Sequence, residues 1–128
     1  MGFKKVFPVK QAHSHQFTDT LVDDEGVAIT LANISTMTLT LWNGDETPGA
    51  AAIINLRTAQ DVKNANNATM HATSGLFTWD MQPLDNPLRD ATAEEELHPF
   101  YLAVTHTQAG GFFYATYAAR VQRRGLPT

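Results

Sequence analysis

Residues 35–43, STMTLTLWN, set Thr36, Thr38 and Thr40 between Met37, Leu39 and Leu41. In an extended chain successive side chains point to opposite faces, so this order sends every threonine one way and every large apolar group the other. Such a segment is a half-buried β-strand, and the rest of the chain is read outward from it.

On the N-terminal side, HQFTDTLVDDEGVAITL holds two extended-looking runs joined by Asp23-Asp24-Glu25-Gly26. Gly26 supplies the positive φ that a tight reversal needs, which predicts a hairpin. On the C-terminal side, Asn43-Gly44-Asp45 and Pro48-Gly49 close the strand with turn residues, and AAAIINL then reads as a short buried strand. The weakly patterned RTAQDVKNANNATMHA predicts a loop or brief helical turn around residues 60–63, with a strand resuming near Thr69.

Past Gly75, LFTWDM alternates again, with Phe77, Trp79 and Met81 on one face, and Trp79 is expected at the centre of the core. Pro83 and Pro87, flanking Asp85 and Asn86, and an acidic run make residues 82–99 an irregular excursion, with one helical turn expected over residues 91–96, capped by Asp90 or Thr92. The chain then forms a long hairpin. Phe100, Leu102 and Val104 share a face in its first arm, Gly110-Gly111 turn, and Phe113, Ala115, Tyr117, Ala119 and Val121 share a face in its second.

These segments predict an all-β fold: an antiparallel, immunoglobulin-like β-sandwich of seven or eight strands with at most one short helical turn. Residues 15–124 make the sandwich, residues 1–14 an N-terminal arm or edge strand, and residues 125–128 a tail. At 128 residues the chain fits one domain that buries about two-thirds of its unfolded surface. It has no cysteine, which removes disulfides, thiolate metal sites and thiol nucleophiles, and suits folding in a reducing cytoplasm. No apolar run reaches signal-peptide or membrane-span length. A net charge of −4 without a long basic stripe argues against nucleic acid, and the short cluster Arg120, Arg123, Arg124 reads as a solvated strand end.

The residues that carry site chemistry are sparse. Ser14, Ser35 and Ser74 stand in no nucleophile-elbow pattern. His13 and His15 make half of a zinc site at most, because His71, His98 and His106 fall on other elements. Asp80, Asp85, Asp90 and residues 94–96 are acidic, but their spacing matches no EF-hand loop. The expectation is therefore no catalytic residue, no metal and no cofactor. What remains is docking surface. Phe112, Tyr114, Thr116 and Ala118 lie on the second face of the last strand, Trp42 sits at a strand end, and Phe3, Val6 and Phe7 are apolar residues near the N-terminus.

The order of these features resembles the small immunoglobulin-like virion modules of tailed bacteriophages. The similarity rests on the strand, acidic-glycine turn and alternating strand of residues 21–41, and on the glycine-led strand running into an aspartate-proline loop over residues 75–87. That resemblance implies a structural protein of a virion, made in the host cytoplasm. It would dock onto other virion proteins and onto copies of itself as a head decoration, minor capsid or neck component. Leu97-His98-Pro99-Phe100-Tyr101 replaces the proline-glycine-tyrosine entry of the baseplate members, which leaves a tail or baseplate adaptor as an alternative. A carbohydrate-binding module is the other, and it requires Trp42 with Tyr101, Tyr114 or Tyr117 in a flat platform. Membrane and nucleic-acid partners are not expected.

Overall fold

The computed structural model describes residues 3–90 and 92–124. Its eight strands are β1 (Lys5–Lys10), β2 (His15–Thr20), β3 (Ile34–Leu41), β4 (Gln60–Asp61), β5 (Ala68–Met70), β6 (Leu76–Met81), β7 (Glu95–His106) and β8 (Phe112–Gln122). They form a five-stranded sheet, β1-β8-β7-β3-β4, and a three-stranded sheet, β2-β6-β5. This is an immunoglobulin-like sandwich, in which the last hairpin builds one sheet with β1, β3 and β4, and β2, β5 and β6 build the other.

Period-two burial explains the layers. Met37, Leu39 and Leu41 of β3, Phe100, Leu102 and Val104 of β7, and Tyr117, Ala119 and Val121 of β8 all point inward. They meet Phe17 of β2 and Phe77, Trp79 and Met81 of β6. At the centre, Phe100 lies 5.1 Å from Phe17, 5.1 Å from Trp79 and 5.2 Å from Tyr117, ring to ring. Trp79 is fully buried, as its parity predicts. The closing hairpin turns on Gly110 (φ 92) and Gly111 (φ 69), conformations that a side chain would strain.

Several local expectations are corrected. The first predicted hairpin has its turn at Gly26 (φ 79), but its second arm makes only the bridge Val22–Ala28 before a 3-10 turn at Leu31–Asn33. AAAIINL is no strand: Ala50–Ala52 form a 3-10 turn, and Asn55 and Leu56 take positive φ values of 52° and 56°. Residues 60–63 contain β4 in place of a helical turn. Glu95 and Glu96 belong to β7, so no helix covers residues 91–96; Ala91 itself lies outside the described residues, though Asp90 does cap the Thr92 N–H at 2.9 Å. A third 3-10 turn falls at Pro83–Asp85, so three such turns replace the single one expected. Lys5–Lys10 form an edge strand and no loose arm, and β1 pairs with β8 in parallel, the one exception to the antiparallel pattern. Residues 1–2 and the tail 125–128 lie outside the described residues.

The loops between β3 and β7 are held by a buried charge. Arg57 donates from Nε and Nη2 to the two carboxylate oxygens of Asp85, the latter at 3.0 Å, and its guanidinium stands 5.2 Å from the Trp79 ring centre. Asp85 also accepts from Asn55 Nδ2 at 2.9 Å and from the Gln82 N–H at 2.7 Å. Such a pair is costly to break because the surviving charge stays buried. Asp85→Ala is expected to lower the unfolding free energy by about 3–5 kcal/mol in urea denaturation. Exposed Asp24→Ala is expected to cost less than about 1 kcal/mol.

Candidate protein-docking surface

The same alternation that fills the core fixes what the five-stranded sheet shows to solvent. Thr36, Thr38, Thr40 and Trp42 follow one another on its outer face, in register with Thr105, Ala103, Tyr101 and Pro99 of β7, and these with Phe112, Tyr114, Thr116 and Ala118 of β8. Four aromatic rings cross this face in one row. Trp42 lies 5.8 Å from Tyr101, Tyr101 5.6 Å from Tyr114, and Tyr114 4.8 Å from Phe112. Tyr114 is 66% exposed and Phe112 44%. None of the twelve face positions carries a charged side chain; Asp61, opposite Thr38 on β4, borders them. Beside Trp42 and Tyr101 a groove of about 490 Å³ opens between the sheet and the loop carrying Pro48, Ala50 and Ile53.

The predicted surface residues divide accordingly. Trp42, Phe112 and Tyr114 belong to the row, whereas Ala118, set between Val6 and Pro99, is fully buried within the chain. Val6 is exposed on the outer side of β1, and Phe3 is half-buried beside the start of β8. Phe7 is partly buried: its ring stacks on His15 at 4.9 Å and packs against Phe17 and Phe100. Tyr101 is the link between Trp42 and Tyr114, and inward Phe100 and Leu102 already required it to face out.

Tyr117 points the other way. Its hydroxyl donates to buried Asp19 at 2.6 Å, and Asp19 also meets the ammonium groups of Lys4 at 2.6 Å and Lys5 at 3.5 Å. Burial pushes the Asp19 carboxyl up, but these hydrogen bonds and charges together outweigh it and hold it below the usual value. Burial first, and then the Asp19 carboxylate, raise the Tyr117 phenol far above its ordinary range.

Other ionisable groups do not converge. Glu96 accepts from the Arg89 and Asp90 N–H groups at 2.9 and 2.6 Å and lies 2.8 Å from His98 Nε2. Burial pulls His98 down; Glu96 is pushed up by burial but held low by the backbone donors. This cluster pins the excursion before β7 onto the sandwich. His71 and His106 accept local backbone N–H groups, while Asp80 pairs with Gln16 and Asp85 with Arg57. Among the described residues no three His, Cys, Asp or Glu side chains come together as a metal site.

The Asp19 cluster generates a pH prediction. Its folded carboxyl titrates below the ordinary 3.8, so its contribution is present above that value and is lost as pH falls through the folded value. Tyr117→Phe is expected to cost about 1–3 kcal/mol at pH 7, and the cost should shrink on acidification below that range. Urea unfolding of both proteins between pH 2 and 7 measures it. Comparison of the chain with family models, with curated proteins and with solved structures gives no match.

Proposed function

We propose that this chain is a structural docking module of a bacteriophage virion. It holds a neighbouring virion protein against the outer face of the five-stranded sheet. The observation that carries the docking reading is the row Trp42, Tyr101, Tyr114, Phe112 on a patch whose twelve positions carry no charge. Depletion of charge together with enrichment of Trp, Tyr and Phe is the compositional mark of the centre of a protein interface. The virion setting is supported by the resemblance in strand order and turns described above. In this role the chain acts by binding, as a head decoration, minor capsid or neck component, with other virion proteins and copies of itself around it.

The ring geometry weighs against the carbohydrate alternative. Sugar rings stack on coplanar aromatic platforms, but successive planes in the row are turned by 64°, 80° and 89°, and Tyr117 is buried. A stripe of lysine and arginine for a phosphate backbone is equally missing from this face.

Two measurements test the proposal. Mass spectrometry of purified particles of the encoding phage is expected to find the chain at fixed stoichiometry; its absence from particles overturns the virion setting. Particles lacking the chain, reloaded with purified protein, are expected to bind Tyr101→Ala or Tyr114→Ala about 2 kcal/mol more weakly, roughly 30-fold, with thermal stability unchanged. Equal binding by both variants overturns the docking face. A glycan panel is expected to leave tryptophan fluorescence unmoved.

A further inference from the structure

The sandwich guards nearly all of its strand edges. β1 carries Pro8, which offers no N–H. Along β2, the Lys5 ammonium donates to the Thr18 carbonyl at 2.9 Å and that of Lys4 to the Thr20 carbonyl at 3.4 Å. β4 has two residues and β5 three, too few to template a neighbour.

Among the described residues one stretch is left open. β1 covers β8 only from Tyr117 onward, where Lys5 is its first partner, and the Lys4 N–H makes a last bond to the Thr116 carbonyl at 2.7 Å. Peptide groups alternate in direction along a strand. The Gly111 carbonyl accepts from the His106 N–H, so residues 111, 113 and 115 direct their peptide groups at β7, while Phe112, Tyr114 and Thr116 direct theirs away from it. No strand among the described residues pairs with that side of residues 112–115.

This edge forms one wall of a cleft of about 620 Å³, whose other sides include Phe3, Lys4 and Val22. Val22 is 45% exposed there, and the one charge, Lys4, is neutralised by Asp19 at 2.6 Å. From Phe112 to Thr116 an extended chain runs about 13 Å, room for a strand of four or five residues.

We propose that this cleft accepts an extended, uncharged segment of a neighbouring protein, which adds a short strand to the open edge of β8. Main-chain bonds to Phe112 and Tyr114 give attachment, and apolar side chains at alternate positions meet Phe3, Val22 and Ala115. Lys4 is already engaged by Asp19 and the rest of the lining is uncharged, so a charged side chain of the occupant would find no free partner there. A second copy fits poorly: antiparallel pairing of two such edges about Tyr114 would set the other copy's Phe112 against Thr116, whose carbonyl Lys4 already holds. The inference is independent of the outer aromatic face, because it rests on backbone groups.

Amide-resolved NMR of the folded full-length chain tests it. In the free protein the Phe112 and Tyr114 amides are expected to exchange at least 100-fold faster than those of Phe113 and Ala115. Equal protection of all four would mean a closed edge and overturn the proposal. Acetyl-TVTVT-amide at millimolar concentration is expected to shift the Phe112 and Tyr114 amides and slow their exchange at least tenfold, whereas acetyl-TVPVT-amide leaves them unchanged. Identical behaviour of the two peptides, or shifts confined to Thr38 and Thr40, overturns it. So does slowing of exchange on raising the protein concentration alone, which would make the occupant a second copy. Tyr101→Ala, which weakens the aromatic face, is expected to leave the peptide response intact, so the two readings fail separately.

Discussion

The bond from the Tyr117 hydroxyl to Asp19 determines which surfaces this molecule offers. With Tyr117 held inward across the sandwich, strand parity turns Tyr114 and Phe112 outward on β8. A one-residue slip would bury them and expose Tyr117, Ala119 and Val121. The same carboxylate gathers Lys4 and Lys5, which fixes where β1 begins against β8. Both the aromatic face and the open edge thus follow from one buried acceptor with three donors, on β2, facing β8 and the start of β1. A buried carboxylate is tolerable only when so satisfied, and its partners come from segments far apart in the chain.

Much of the sandwich is legible in the sequence because its long strands obey one rule. β6, β7, β8 and β3 from Thr36 onward follow the alternation, so Met37, Trp79, Phe100 and Tyr117 can be placed inside from the sequence, although β3 is irregular between Ile34 and Thr36. Trp42, Phe112 and Tyr114 follow from the same parity. AAAIINL misleads because its apolar residues do plug the core, with Ala52 and Ile54 buried, but they do so from a turn. Composition reports burial, while the backbone shape there is set by Asn55 and Leu56 at positive φ and by Arg57, which must turn inward. β1 misleads in the opposite way: it reads as an arm because its pairing with β8 is a contact across the whole chain.

The polar interior was the least legible part. Arg57 and Asp85 stand 28 positions apart in segments without pattern, and Asp85 reads from sequence as one of several surface acids. Its neighbours Asp80 and Asp90 do lie at the surface, and only the fold separates them. Glu96 and His98 are similar, since a strand that opens with two acids gives no sign that the second is buried. Such pairs add little net stability over apolar packing, yet each is expensive to break. Their positions, on the loops framing the Trp42 groove and on the excursion before β7, suit a role in holding irregular segments in a single arrangement.

Area decides how a surface like this one can work. The part of β3, β7 and β8 that bears the row covers three strands at about 4.8 Å spacing and about seven residues at ~3.3 Å rise, a projected face of roughly 300 Å². A stable specific interface takes about 800 Å² from each partner. The face alone therefore supports a weak contact, even with aromatic anchors at its centre. Two routes raise it. A strand added at the β8 edge extends the same sheet beside Tyr114 and Phe112, joining main-chain bonds to the aromatic contact. Repetition on a symmetric particle turns each later contact into an intramolecular one, whose high effective concentration multiplies affinity without any new side chain. A small patch of this kind is thus poorly suited to holding a lone partner in dilute solution, and in the role proposed above repetition would supply what its area does not.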